Sequence, residues 1–572
     1  MAGAVIESLS NRKLCYILSM LFIALVVFFM LGAFCSPKPS SSMEFIMVKC
    51  KDKEGGRNPG RWFYIRPPHC DLIHDLEQYV PHFDDMRDIV FVAQMPHQRD
   101  GIALEYSAWF QFLLALLEID IEYNPMEKAV LHFEVRLGYR THSDGVEDWH
   151  ELITANATRI LECIPPEMVK SEGFMYNCDA LDLFELGSNP YPFYLINLRI
   201  PVNQSLCHIN PNGPNCAIGK IADLRIIAIH QNGGFTAIWL WMKTFVSPFV
   251  IIAIHWYWKR VSALNRKPYL VEQSIMALGI GLAILDVPIE WLSLWFKTPF
   301  MLLIGDIRQG LFYTILFSFW LIFTGEHLID DNSRNNLKTY WRNLTSVFIA
   351  SGCLLFYDMA ERGMQINNPF FSIWSSELGS KFALIVVYIA SLCLFCYFIF
   401  LVTKVWRVCV TIKRKRAAHL YRTSEIRRLK VEAVIYRFKF LMFFTLTCAA
   451  FTIISYVMKQ YGEGQIHSSD PSESLLIHST SAFFTGTFGM WNIYVLLLLA
   501  MYAPSHKNYH SSSVLFFKMI LVSSVFAIFS IFFLGFITFK IFLHILVDEV
   551  DDSDFMATES AALTTFIKPA SE

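Results

Sequence analysis

The chain has 572 residues and a mass of 66.0 kDa, and 54% of its residues are hydrophobic. Only 17% are Asp, Glu, Lys or Arg, against roughly 25% in ordinary soluble domains. This composition excludes a disordered chain and a set of soluble domains. The net charge of −2 excludes a general affinity for nucleic acid. The sequence therefore predicts a membrane protein.

The first apolar segment covers residues 14–34, carries no charge and follows Arg12 and Lys13. It has the roughly 20 residues that a membrane span needs, and it exceeds the ~7–15-residue core of a cleaved signal peptide. We predict an uncleaved signal-anchor with residues 1–13 in the cytosol. The alternative is cleavage near Cys35.

Seven further apolar segments crowd together in residues 237–503. Lys and Arg favour cytosolic loops. The most basic loop, residues 404–437, lies on the cytosolic side if the N-terminus is cytosolic. The predicted spans are Ala237–Trp258, Gln273–Phe296, Phe300–Phe323, Leu344–Ala360, Phe382–Thr403, Phe438–Met458 and Ala482–Tyr502.

The C-terminal tail, residues 504–572, contains one more apolar stretch. Residues 519–539 carry no charge and are followed by an acidic run. Hydropathy predicts an extra C-terminal span, which would place the C-terminus on the lumenal side. The alternative is an apolar tail lying on the membrane.

Residues 36–235 form a large lumenal segment with strand periodicity. Apolar and polar residues alternate along Leu131–Arg140 and again along Tyr194–Ile200, where Asn197 and Arg199 fall on the wet face. Six or more short strands predict a β-sandwich or a barrel. Further strands are predicted at Met43–Val48, Asp88–Val92 and Leu224–Ile229, and helices at His74–Val80 and Asp148–Leu161.

Six of the 13 cysteines lie in this segment, an even number in an oxidising compartment. Six cysteines allow 15 pairings. We predict the short-range set Cys50–Cys70, Cys163–Cys178 and Cys207–Cys216. The other seven cysteines lie in or beside spans, where they are typical of small core residues. Their spacing with histidine resembles no zinc site, and we expect no metal or cofactor.

Two glycosylation sequons, at Asn156 and Asn203, lie in the same segment. The segment has 27 acidic residues against 17 basic ones. An acidic lumenal surface favours a basic secreted partner, although ordinary solubility explains the charge equally well.

Ionisable residues within predicted spans are costly and mark candidate functional sites. Three neighbouring spans carry seven of them toward the lumenal side, and we predict that they form one polar vestibule. The alternative is a set of salt bridges that stabilises the bundle. The seven residues are Asp286, Glu290, Asp306, Arg308, Asp358, Glu361 and Arg362.

These carboxylates do not form a recognisable catalytic motif. Asp306 and Asp358 are superficially similar to the aspartate pair of intramembrane aspartyl proteases, but their order is inverted and the accompanying motif is missing. The chain also has no His-Glu-x-x-His or Gly-x-Ser-x-Gly sequence. We therefore predict no catalytic residues and no enzyme.

Several longer stretches carry a resemblance to one family, and they occur in the same order as in that family. The sequence resembles the Wntless family from Met1 to Tyr509, nearly nine-tenths of the chain. The stretches are Trp109-Phe-Gln-Phe112, His230-Gln-Asn-Gly-Gly-Phe-Thr236, Gly305-Asp-Ile-Arg-Gln-Gly310, Glu361-Arg-Gly363, Asn368-Pro-Phe370, Ser372-Ile-Trp374, Arg437-Phe-Lys-Phe440, Phe483-Phe-Thr-Gly486 and Gly489-Met-Trp-Asn492.

The resemblance implies a lumenal β-sandwich-like domain fused to a seven-helix bundle similar to that of G-protein-coupled receptors. It also implies a carrier that escorts lipid-modified Wnt through the endoplasmic reticulum, Golgi, endosomes and plasma membrane, with membrane lipids and sorting machinery as further partners. The acyl chain of the cargo would enter the bundle. Our candidate slot is Phe312, Tyr313, Leu316 and Phe356, although an aromatic stripe at helical spacing also suits a packed core.

Two features depart from the family pattern. The family's tyrosine-based endocytic signal would begin at Val431, so it is absent here. The ending Ile567–Glu572 does not match the carboxy-terminal retrieval sequence of some relatives. The rival to a carrier is a seven-span signalling receptor, but no Asp-Arg-Tyr-like or Asn-Pro-x-x-Tyr signature supports it.

Overall fold

Seven helices in the described part of the chain are long and apolar enough to cross a membrane. The structure, a computed structural model, shows them beside an antiparallel sheet domain. The fold class predicted from the sequence is confirmed. The structure describes residues 11–504 except 54–60, 65–69, 74–88, 97, 100–101, 104, 123–127, 165–174, 203–208, 210–214, 217, 219, 265, 327–334, 421–443, 446–447 and 449–473.

Seven of the nine predicted spans overlap helices of the described residues. The predicted span Phe438–Met458 lies outside the described residues except for three positions, and residues 519–539 lie wholly outside them. The predicted helix His74–Val80 also falls outside them. The helices are α1 (Asn11–Met30, continued by a π-helical turn, Leu31–Cys35), α2 (Gly233–Ser262), α3 (Leu270–Asp286), the short α4 (Trp291–Trp295), α5 (Met301–Glu326), α6 (Leu337–Gln365), α7 (Glu377–Leu420) and α8 (Ser474–Met501).

Two of the differences from the predicted bounds have a clear physical basis. The predicted span Gln273–Phe296 is broken after Asp286, because Pro288 has no N–H to donate and drives Val287 out of the helical conformation. Helix α7 continues to Leu420, so the first half of the basic loop 404–437 is helical. No Pro or Gly interrupts it there.

The sheet domain consists of antiparallel strands in the order β1-β13-β7-β10-β9-β8-β12-β4-β2-β3, and β11 also pairs with β7. Side chains from both halves of this order share one apolar core. The strands are β1 (Ser40–Ile46), β2 (Val48–Lys51), β3 (Asp71–Leu72), β4 (Ile89–Met95), β5 (Gln98–Arg99), β6 (Ile102–Ala103), β7 (Leu113–Glu122), β8 (Lys128–Arg140), β9 (His150–Ile164), β10 (Met175–Cys178), β11 (Leu181–Leu186), β12 (Phe193–Arg199) and β13 (Lys220–Gln231).

Two expectations for this domain are wrong. The predicted helix Asp148–Leu161 is the long strand β9, which pairs with β8 along most of its length. Asn197, expected on a wet face, is only 5% exposed because the segment 61–64 covers that face of β12. Its amide exchanges two hydrogen bonds, of 2.8 and 2.9 Å, with the backbone of Phe63.

Two of the three predicted disulfides are present. Cys50 joins Cys70, which fixes the covering segment over β12, and Cys163 joins Cys178 across the β9–β10 pair. Cys216 is also disulfide-bonded, while its predicted partner Cys207 lies outside the described residues. These cross-links restrict the unfolded chain and so stabilise the domain.

Helix α1 packs closely against α8 through glycines. A side chain at Gly32 would place its Cβ 2.6 Å from the Cα of Ala482, and side chains at Gly486 and Gly489 would meet the rings of Phe29 and Phe28. Small residues allow such close approach of helices in a membrane. Helix α1 is therefore part of the bundle.

Replacing Gly32 with alanine is expected to destabilise the protein by about 1–3 kcal/mol, because the added methyl group overlaps the α8 backbone. The measurement is thermal unfolding of the full chain in detergent. Gly352→Ala is the matched control, because a Cβ at that position meets only open space. Equal unfolding temperatures for the two variants would contradict the close packing.

Candidate functional site

A buried ion network joins helices α2 and α5 at the break after α3. The ammonium of Lys243 lies 2.6 Å from Glu290 Oε1, and the guanidinium of Arg308 lies 3.4 Å from the same oxygen. The side chains of Lys243 and Arg308 are only 7% and 8% exposed. Both cations therefore depend on this carboxylate for compensation.

Arg308 also satisfies the backbone at the end of α3. It donates to the carbonyl oxygens of Ile284 at 2.7 Å and Leu285 at 2.6 Å, and to that of Val287. A helix end leaves such carbonyls without intrahelical partners, and a cation there suits the helix dipole. Nearby Asp286 is fully buried, and Asn492 from α8 donates to it at 3.5 Å.

The remaining predicted residues form a second group, facing the sheet domain. Arg362 of α6 pairs with Glu185 of β11, and its Nε lies 3.7 Å from Asp306 Oδ2. Glu361 accepts a 2.8 Å hydrogen bond from the backbone of Ile373, and Asp358 lies within electrostatic range of Asp306. The structure thus divides the predicted vestibule into two groups, because Arg308 and Asp306 leave α5 in different directions.

The loop between α6 and α7 is anchored in the sheet domain. Phe370 is 2% exposed, belongs to the sheet core, and packs edge-on against Phe184 with ring centroids 5.5 Å apart. Its carbonyl accepts a 2.8 Å hydrogen bond from the buried guanidinium of Arg159. The Glu185 N–H donates to the Pro369 carbonyl at 3.0 Å. We call these contacts the loop anchor.

A cavity of about 260 Å³ lies between the sheet domain and the ends of α5 and α6. Leu302 and Leu303 contribute to its apolar wall, and Arg362 and Lys297 are its cations. The Lys297 ammonium donates to the Tyr191 hydroxyl at 3.1 Å. This hydrogen bond raises the pKa of Lys297 above its ordinary value, so the side chain is charged at neutral pH.

The four residues predicted to form the acyl slot do not all lie together. Phe312 and Leu316 are fully buried among the helices, and Tyr313 packs beside them. Phe356 is instead 60% exposed and contacts Phe382 of α7. Tyr313 follows Asp306 on α5 at helical spacing, and its ring packs near that of Trp491 in α8, with ring centroids 6.5 Å apart.

Two stretches that resemble the family meet where the sheet domain joins the bundle. The ring of His230, at the end of β13, lies 4.6 Å from the ring of Phe110. Trp109 contacts Trp291 of α4 with centroids 6.0 Å apart, and Ser293 donates to Gln111 at 3.0 Å. The segment 109–111 therefore links the sheet to the break in the bundle.

Burial lowers the pKa of His230 to about 4. In the unfolded chain the imidazole titrates near ~6.5. Below that pH the unfolded chain binds a proton that the folded domain excludes, so stability should fall from about pH 6.5 to pH 4. His230→Phe should flatten this fall, as measured by thermal unfolding across that range. The exposed His142→Phe is the control, and a wild-type pH profile for His230→Phe would contradict the prediction.

The predicted glycosylation positions have different outcomes. Asn156 is exposed on β9, so its amide is accessible to a modifying enzyme. Asn203 lies outside the described residues.

Sequence reasoning missed several residues of this junction. Lys243 is a lone charge within an apolar span, and the cost of leaving it unpaired in a membrane is the signal that could have identified it. Glu185 and Arg159 look like ordinary strand residues, and only the docked loop shows their role.

Comparison with known proteins agrees with the two-part architecture. Residues 48–231 match the family model "Wntless, GOLD domain", and residues 232–506 match "Wntless-like, transmembrane domain". The chain is 53% identical to the protein wntless homolog of Caenorhabditis elegans over 580 residues, covering 100% of both chains. It is 42% and 41% identical to the homologs of Gallus gallus and Homo sapiens, over 89% of this chain and 92% of theirs. The chain therefore belongs to the Wntless family.

Proposed function

We propose that this protein is a carrier that binds lipid-modified Wnt and shields its acyl chain during secretion. Family membership supports a role in Wnt secretion or sorting, and this membership is the observation that carries the proposal. The family models match both the sheet domain and the bundle, which supports the proposal. The protein acts by binding and transport, and we assign no catalytic role to its carboxylates.

The acyl chain is proposed to lie in the seam between α5 and α6. Leu303, Asp306, Gly310 and Tyr313 follow one another at helical spacing, so they form a single stripe along α5. A Cβ at Gly310 would meet only open space, which leaves room along this stripe. Each methylene of a lipid removed from water contributes about 0.8 kcal/mol, so an apolar seam is a favourable place for the chain.

The charged groups at the mouth of the seam suit the polar part of the cargo. Asp306 and Arg362 lie at the end of the seam that faces the sheet domain, and Arg362 is tied to that domain through Glu185. The protein neck next to the acylated residue would remain there, in contact with polar groups. The sheet domain would bind the protein surface of the cargo.

The proposed orientation places the N-terminus in the cytosol and the sheet domain in the lumen. The disulfides of the sheet domain are typical of an oxidising compartment. The basic loop after residue 404 would lie in the cytosol, as the positive-inside rule expects. The multi-pass carrier would then move its cargo from the endoplasmic reticulum and Golgi to the cell surface.

A secretion assay tests the proposal. In cells that lack their own Wntless protein, this chain should restore Wnt to the medium. Gly310→Phe should abolish that rescue by filling the seam, whereas Gly352→Phe, which adds a matched ring in open space outside the α5 stripe, should retain it. Failure of the unaltered chain to restore secretion would overturn the carrier function. Equal rescue by both variants, at equal protein levels, would overturn the seam.

A further inference from the structure

The cavity between the two domains shares Leu303 and Arg362 with the proposed seam, but its second cation, Lys297, has no part in the carrier function. It lies at the ends of the membrane-spanning helices α5 and α6, so it opens at the depth where lipid headgroups meet water. Trp295 and Phe296, immediately before Lys297, are 81% and 65% exposed. Exposed aromatic side chains of this kind are typical of the membrane–water interface.

The two cations of the cavity differ in how they are paired. The charge of Arg362 is compensated by Glu185 and Asp306. No carboxylate in the part of the chain that the structure describes lies within ion-pair distance of Lys297. Among the described residues its hydrogen-bond partner is the Tyr191 hydroxyl, and an ammonium has three donors. Two donors therefore remain for a ligand.

Lys297 is an exposed residue whose ammonium contacts Tyr191. Its ammonium lies 4.5 Å from the centre of the Tyr191 ring, a cation–π contact. Tyr191 is itself stacked on Tyr139 with centroids 3.8 Å apart and is only 9% exposed. A rigid aromatic pair thus holds a positive charge at the rim of a cavity far larger than the ~10–15 Å³ that one water needs.

We infer that this cavity binds the headgroup of a membrane phospholipid, with its phosphate on Lys297 and the start of its acyl chains against Leu302 and Leu303. A phosphate oxygen accepts the free ammonium donors, and the apolar wall excludes water from the glycerol ester region. A phospholipid suits the site better than a soluble anion, because most of the lining surface is apolar and the mouth lies at headgroup depth. The inference does not depend on cargo binding.

Native mass spectrometry of the full chain in detergent tests this site, with dioleoylphosphatidylcholine as the probe. The unaltered protein should retain one lipid, and Lys297→Gln should weaken its binding by about tenfold through loss of a charge-assisted hydrogen bond. Lys297→Arg should retain binding. Lys38→Gln, at an exposed lysine on the same side of the bundle, should behave as the wild type.

Two further measurements distinguish a phospholipid from other ligands. Dioleoylglycerol, which lacks the phosphate, should bind weakly and be indifferent to Lys297→Gln. Inorganic phosphate alone should not displace the lipid; displacement would assign the site to a free anion and overturn the inference. Unchanged lipid binding by Lys297→Gln would also overturn it. If that variant fails to fold, Leu303→Trp, which fills the apolar wall, should abolish lipid retention, and retention by this variant would contradict the proposal.

Discussion

Replacement of Arg308 with methionine is expected to destabilise the bundle by about 3–5 kcal/mol. The change removes a buried guanidinium that compensates Glu290 and donates to backbone carbonyls at the end of α3. The apolar side chain fills a similar volume, so the loss comes from uncompensated polar groups and not from a void. Among the described residues, Lys243 would be the remaining ion-pair partner of Glu290.

The readout is the temperature at which the full chain loses its monodisperse peak after heating in detergent. Arg308→Lys should lie between the wild type and Arg308→Met, because an ammonium keeps the charge but cannot donate to three carbonyls and a carboxylate as a planar fork does. The exposed Lys338→Met controls for loss of a cation in a span helix. If Arg308→Met unfolded at the same temperature as Lys338→Met, the network would not hold the bundle together.

Truncation of Phe370 to alanine should release the α6–α7 loop from the sheet domain, at a cost of about 3–5 kcal/mol. The ring is buried in the sheet core against Phe184, so its removal leaves a void that the surrounding strands cannot easily close. Arg159 would keep its hydrogen bond to the carbonyl of residue 370, but the loop would lose its apolar anchor.

Hydrogen exchange measures this release locally. Amides of residues 367–375 should exchange faster in Phe370→Ala, while those of β8 should stay protected. Leu378→Ala is the matched control, since that side chain follows the same loop but is 82% exposed. Uniformly faster exchange across the whole sheet domain would mean that the change unfolds the domain, and unchanged exchange in the loop would rule out the anchor.

Much of the fold follows from periodicity. Long uncharged runs identify the spans, and alternation along residues 131–140 identifies β8, because a helix or strand buries one set of side chains whatever its partners are. The sequence predicts a helix at Asp148–Leu161 because this segment mixes both periods, but pairing with β8 makes it part of strand β9. The alternation of apolar and polar residues predicts that Asn197 lies on the surface. A segment held by the Cys50–Cys70 disulfide covers it instead.

The candidate functional site was less predictable than the fold, because its ion pairs and hydrogen bonds join elements that are far apart in the chain. Charged residues in the spans could be identified from the cost of burying them. The partner of each charged residue depends on how the loops and domains pack together. Arg362 pairs with Glu185 in the sheet, and Arg308 donates to the broken end of α3. Asp306 and Arg308 lie two residues apart, and only the rotation of α5 assigns them to different groups.

We propose that the protein recognises its cargo through the acyl chain. The most direct test is co-purification with a co-expressed Wnt, in its normal form and as a variant in which the acylated serine is replaced. If the acyl chain is bound in the seam between α5 and α6, the normal cargo is retained and the unacylated cargo is lost. Equal retention of both forms would contradict the account and would place recognition on the protein surface of the sheet domain.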